Sequence, residues 1–280
     1  MDSDDRRDPE RPDPADVPPV PPPPPSAGPA RTPGPARTGP PPLPEPGAIA
    51  PRRVPTATAA ELCWAVLAML LAGVGGVAVV FGVLRVTDTG WWTLLMLPGS
   101  ALVAAAVLWW PLRHRRRWTW ADVGFVRMHR PGHLLWEIPL TFLVGLVGAA
   151  GLGTLLGVVP DEAQANQAST VRDALDAPVW LGVLTVACLV VVWPLLEEII
   201  FRRILLGALS AWLPIGLAVV LAAVIFAAVH VLLPAMLYVI WLGLGACLLY
   251  LRHRSLWAPF ILHMINNAMA TSVTLALLTQ

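Results

Sequence analysis

Lysine is absent from this chain: all 19 basic residues are arginine, set against 18 acidic ones for a formal net charge of +1. So even a balance excludes a globally basic nucleic-acid binder and offers no field for an acidic partner. Charge of either sign is scarce, at 13 % of residues, about half the share of an ordinary soluble domain. Cysteine is nearly missing. Cys63, Cys188 and Cys247 each sit inside an apolar run, which rules out a disulfide framework and reads as small buried hydrophobes. No nucleophile elbow, phosphate loop or dinucleotide glycine motif occurs. No internal repeat is visible either, so the inverted-repeat signature of many transporters is lacking. The missing lysine, with abundant Ala, Gly, Pro and Val, fits a GC-rich bacterial genome.

What the chain does have is apolar length. Hydrophobic residues make up 56 % of it and the mean hydropathy is +0.65, values that point to a bilayer as the solvent. That average hides two regions. Residues 1–58 are polar and rich in proline and arginine, with Pro21 to Pro25 in one run. They show no apolar periodicity, so a disordered cytoplasmic tail of polyproline-II character is expected, and no signal peptide. From there the reading is all-α, a polytopic transmembrane helix bundle of about seven spans. Candidates are 62–86, 91–112, 134–159, 179–209, 213–233, 235–251 and 257–278. An N-terminal hairpin with a basic loop occupies 59–133, and a membrane-embedded core occupies 134–280, with its motifs in 178–275. Trp91, Trp92, Trp109, Trp110, Trp118, Trp120, Trp212 and Trp257 fall near proposed span ends, as an interfacial belt requires.

Arginine sets the expected orientation. Arg52 and Arg53 precede the first span. Arg113, Arg115, Arg116, Arg117, Arg127 and Arg130 fill the loop after the second, and Arg252 and Arg254 lie between the last two. If every span crosses, these segments share one side, and the positive-inside rule makes it cytoplasmic. The expectation is a multi-pass protein of the plasma membrane with its N-terminus inside. Membrane lipid and a peptide or membrane-protein substrate are the expected partners, and nucleic acid is not.

A charge within a bilayer is costly and is usually functional and partnered. The C-terminal spans concentrate such residues: Glu197, Glu198, Arg202 and Arg203 in the fourth, His230 in the fifth, His263, Asn266 and Asn267 in the seventh. Glu198 and Arg202 are four apart and can neutralise each other on one helix face. Glu197 is turned about 100° away and is free to point elsewhere. Phe226 shares a face with His230, and His263 with Asn267. At about 1.5 Å of rise per residue, all four helical levels fall within side-chain reach of one another. One carboxylate, two imidazoles and an amide can therefore converge in one cavity. That set can hydrolyse an amide: a desolvated carboxylate takes a proton from water, a histidine shares the base role or protonates the leaving amine, and N–H groups hold the oxyanion.

The three segments Glu197-Glu198-Ile-Ile-Phe-Arg202, Phe226-Ala-Ala-Val-His230 and His263-Met-Ile-Asn-Asn267 carry, in order, the EExxxR, FxxxH and HxxxN pattern. In this the chain resembles the CPBP family of intramembrane proteases, which includes type II CAAX prenyl endopeptidases and bacteriocin-processing or self-immunity proteins. Residues 243–267 look like that family's last two core helices, and Ala121-Asp-Val-Gly-Phe125 resembles a common lead-in. The resemblance implies that Glu197 activates water with help from His230. It further implies that His263 and Asn267 form the oxyanion site, with Glu198, Arg202 and Phe226 in support. It implies no cofactor under a glutamate mechanism, with zinc held by Glu197, His230 and His263 as the alternative. Two other functions stay open at this stage: a non-catalytic scaffold or immunity protein of the same fold, and a proton-coupled transporter.

Overall fold

The computed structural model describes residues 58–77, 89–115, 117–158 and 170–278. The proline-rich tail expected over 1–58 lies almost wholly outside the described residues. The described chain is helical throughout: α1 (Ala59–Val77), α2 (Thr89–Trp109), the single turn α3 (Trp120–Val123), α4 (Leu134–Leu156), α5 (170–176), α6 (Val179–Leu209), α7 (Ile215–Ala228), α8 (Leu233–His253) and α9 (Trp257–Leu278). Among them α4, α6, α8 and α9 are long and apolar enough to cross a bilayer, while α1, α2 and α7 carry shorter apolar stretches. Large apolar side chains stand exposed along these helices, with Leu135, Leu155 and Val179 each at 80 % or more. An aqueous protein does not present so much contiguous apolar surface, but a helix facing lipid must. The protein is a multi-pass membrane helix bundle.

Contact between helices depends on small residues, as membrane packing does in general. α4 meets α8 so closely that a Cβ on Gly148 would lie 2.3 Å from the Trp241 ring, and one on Gly245 would lie 2.3 Å from Thr141 Cγ2. α7 seats its Phe226 ring against Gly243 of α8, where a Cβ would come within 3.1 Å.

The 31 residues of α6 span about 46 Å at 1.5 Å each, well beyond a hydrocarbon core of about 30 Å. The helix widens into π geometry twice, at Cys188–Val192 and at Glu198–Leu205. Pro194 explains the first. It has no N–H, so it cannot bond backwards, and proline is a common origin of such defects. Trp193 N–H reaches Cys188 O across the wide turn, and Leu189 O is left to a side chain from another helix.

The loop between α2 and α4 is docked. Thr119 and Asp122 form a reciprocal capping box on α3, and the hydrogen bond from the Thr119 hydroxyl holds the Asp122 carboxyl below the usual range. Gly124 follows at φ +115°, a conformation that suits glycine. Its carbonyl accepts from Leu256 N at 2.9 Å, Val126 O accepts from Ser255 Oγ at 2.6 Å, and Asp122 O accepts from Arg203 Nε at 3.0 Å. The basic loop, the end of α6 and the α8–α9 turn therefore share one end of the bundle.

The fifth span differs from expectation. A single apolar run over 213–233 predicts one crossing, yet α7 stops at Ala228 after 14 residues, about 21 Å. His230 lies in the turn that follows and not within the helix. Two residues account for this. Pro234, in the first turn of α8, cannot donate to a carbonyl four residues back. Val231 takes φ +62°, and Leu232 N–H closes a tight turn on His230 O at 2.6 Å. A β-branched residue in the left-handed region is strained by about 1–2 kcal/mol. Val231→Gly is therefore expected to stabilise the protein by up to about 1 kcal/mol after the entropy of glycine is counted, raising the melting midpoint by about 2–4 °C. Val231→Ala, which keeps the Cβ, should give no gain. Thermal unfolding of the purified variants in nanodiscs measures both.

Candidate active site

α6, α7 and α9 bring most of the marked residues together. Glu198 and Arg202 are fully buried, at 0 % and 1 % exposure, with Arg202 Nη1 3.0 Å from Glu198 Oε1. The Arg202 guanidinium also lies 4.3 Å over the Phe226 ring, a favourable place for a cation in an apolar surround. His263 arrives from α9, 2.9 Å from Glu198 Oε1 by its Nδ1 and 3.4 Å from Glu197 Oε2 by its Nε2. Helical spacing sets Glu197 and Glu198 on different faces, yet both touch the same imidazole, one at each ring nitrogen. Arg202, Glu198, His263 and Glu197 thus make one continuous polar chain, and Glu197 is its more open end with 15 % of its side chain exposed.

Phe226 is the hub of this group. Its ring meets His263 edge-on at 5.8 Å and His230 at 5.1 Å. His230 is half-buried, and its Nδ1 lies 3.0 Å from Phe226 O. A backbone carbonyl can only accept, so Nδ1 carries the proton and Nε2 of the neutral ring keeps a lone pair. His230 makes no hydrogen bond to Glu197 or His263 among the described residues. Asn267 lies one turn beyond His263 and donates from Nδ2 to Leu189 O at 2.9 Å, filling the acceptor that Pro194 leaves open.

Glu197 and His263 are two possible zinc ligands that lie together, while His230, whose Nε2 lone pair is free, contacts neither of them. A catalytic zinc site needs three protein ligands around one point, and no group of three or more His, Cys, Asp or Glu side chains among the described residues could hold a metal ion.

Sequence reasoning missed a second buried cluster. Glu137 of α4 and His253 of α8 are 5 % and 1 % exposed, and His253 Nε2 lies 2.5 Å from Glu137 Oε2. Arg252 Nε contacts the other carboxylate oxygen. His253 Nδ1 is 2.5 Å from His129 O, and His129 N–H donates to His253 O at 3.0 Å. The cluster ties α4 and the basic loop to the end of α8. Glu137→Ala leaves a buried imidazole without its acceptor, and a loss of about 2–3 kcal/mol is expected, read as a lower melting midpoint. The sequence signal was a lone Glu137 near the start of an apolar span, which is unusual by itself.

A comparison with known protein families picks out the stretch that carries these residues. Residues 178–269 match the family model described as "Type II CAAX prenyl endopeptidase Rce1-like". The chain is also 38 % identical over 77 residues to the protein named "Putative membrane peptidase YdiL" of Bacillus subtilis (strain 168), an alignment covering 28 % of this chain and 32 % of that protein. The match therefore spans about a third of the relative's length. No solved structure matches. Glu197, Glu198, Arg202, Phe226, His230, His263 and Asn267 all fall inside residues 178–269, the stretch over which this chain is similar to the Rce1-like type II CAAX prenyl endopeptidases.

Proposed function

We propose that this protein is an intramembrane endopeptidase that hydrolyses a peptide bond of a membrane-associated peptide or protein, using water activated by Glu197 and no metal. The observation that carries this reading is the polar chain from Arg202 through Glu198 and His263 to Glu197. Each member of it has a chemical use.

Arg202 neutralises Glu198, and Glu198 accepts the Nδ1 proton of His263. That bond leaves His263 Nε2 as the atom facing Glu197. A carboxylate in a site of low dielectric is a competent general base. Glu197 takes a proton from the attacking water as the water oxygen bonds to the scissile carbonyl carbon. The proton moves on to His263 Nε2, and the imidazolium so formed is stabilised by Glu198. It then presents an N–H to the oxyanion beside the Asn267 amide. His230 Nε2, with its lone pair available, positions the water. Transfer of that proton from His263 Nε2 to the departing amine, as the oxyanion collapses, breaks the C–N bond and regenerates the neutral imidazole beside the Glu197 carboxylate.

The arginines support a location in the plasma membrane with the N-terminus and the site's access on the cytoplasmic side. The loop carrying Arg127 and Arg130 is docked against the turn that carries Arg252 and Arg254, so these charges mark one membrane face. Substrates of this kind include peptide pheromones, bacteriocin leaders and tails of membrane proteins. Comparative proteomics of membrane fractions from wild-type and Glu197→Ala cells tests the reading. Membrane-associated polypeptides truncated in the wild type should persist uncut in the variant. Identical sets of chain termini in the two strains would refute it.

A further inference from the structure

We infer that Tyr238 of α8 and Asn266 of α9 are positioning residues for the Asn267 amide, locking it so that one of its two N–H groups is reserved for the oxyanion. The inference rests on the hydrolytic reading for its purpose but not for its geometry.

Asparagine amides are usually ambiguous, because the oxygen and nitrogen can exchange places. Here the ambiguity is removed from one end. Leu189 O accepts only, so the Asn267 atom 2.9 Å from it must be Nδ2. Asn267 Oδ1 then faces Asn266 at 3.1 Å, and the atom opposing it must be a donor, Asn266 Nδ2. Asn266 Oδ1 is thereby left to accept from the Tyr238 hydroxyl at 2.7 Å. The polarity of the whole chain, from Tyr238 O–H to Leu189 O, follows from one backbone carbonyl. That carbonyl is open because Trp193 N–H goes to Cys188 O and Pro194 has none.

The count of protons gives the chain its use. Asn267 Nδ2 has two hydrogens, one of them donated to Leu189 O. The other has no acceptor among the described residues, one helical turn from His263. An oxyanion donor must be fixed before the charge develops, since its worth lies in not having to reorganise. Asn267 is gripped at both polar atoms, by α6 on one side and by α8 through Asn266 on the other. Tyr238 is itself held in place by α4, where Gly145 lies against its ring so closely that a Cβ would come within 3.2 Å. Neither Tyr238 nor Asn266 belongs to the three-part motif, and neither needs to touch the substrate.

The test uses the full chain in lipid nanodiscs, with two readouts. The first is the side-chain amide signals of Asn267 in protein labelled with ¹⁵N-asparagine. In the wild type these should be two well-separated proton signals of a rigid amide. Tyr238→Phe and Asn266→Asp should broaden or move them, the latter because it sets an acceptor against Asn267 Oδ1 while preserving shape. Unchanged Asn267 signals in both variants overturn the relay, whatever the activity. The second readout is cleavage of a library of N-acylated, internally quenched peptides. Each variant should lower kcat about 10- to 100-fold, less than full removal of an oxyanion donor, with KM within about twofold. The double variant should be no worse than Asn266→Asp alone, because both act through one chain. A shift in KM with kcat intact overturns the positioning role. Full cleavage by Glu197→Gln, or none by the wild type, fails the hydrolytic reading instead and leaves the amide signals to decide the relay.

Discussion

Arg202→Ala is expected to lower stability by about 3–5 kcal/mol, the range for stripping one partner from a buried ion pair, and so to abolish accumulation of folded protein. The argument starts from burial: Glu198 is 0 % exposed and Arg202 1 %. Alanine leaves the buried Glu198 carboxylate against His263 with no guanidinium facing it, in surroundings too apolar to solvate it. It also removes the guanidinium from the Phe226 ring, which loosens the hub that seats both histidines. The double variant Glu198→Leu/Arg202→Met separates fold from chemistry. An apolar pair of similar volume often matches or exceeds a buried ion pair in stability, so folding should return. Activity should not return, because His263 Nδ1 then lacks the acceptor that orients it. Size-exclusion profiles and melting midpoints in detergent, followed by peptide cleavage, distinguish these outcomes. Active double variant would show that Glu198 serves the fold alone.

Helix periodicity was enough to place Glu198 and Arg202 against each other, because an i,i+4 pair depends only on local geometry. The four long helices were equally readable, since each needs only an uninterrupted apolar run of sufficient length. The fifth was not. Hydropathy measures length of apolar sequence and is blind to a backbone reversal inside it, so Val231 and the turn at His230 stayed hidden although Pro234 was in plain view. The Glu137–His253 cluster was out of reach for a different reason. Its members are 116 positions apart and obey no spacing rule, and they meet only because α4 and α8 pack through Gly148 and Gly245. Asn267 shows the third kind of limit. Its motif marked it, but its tie to Leu189 O needs both the π turn that Pro194 opens in α6 and the packing of α9 against that turn, and the spacing of a residue pattern records neither.

Central to the account is a carboxylate at position 197 that removes a proton from water. Glu197→Gln keeps the size and the hydrogen-bonding shape of the side chain and deletes only the base. Glu197 is the outer end of the polar chain, at 15 % side-chain exposure and 3.4 Å from His263, so a neutral amide is accommodated without stranding a buried charge. Folding should be little changed, with a melting midpoint within a few degrees of the wild type. A general base contributes about 10²–10⁴-fold to rate, and turnover should fall within that range. The decisive measurement is the single-turnover cleavage rate of purified, reconstituted Glu197→Gln beside the wild type, at equal folded protein and with the same acylated peptide. A loss of about a thousandfold with an unchanged melting midpoint is the predicted result. Cleavage at the wild-type rate would contradict the account, because the proton would then have to leave water by a route that does not pass through Glu197.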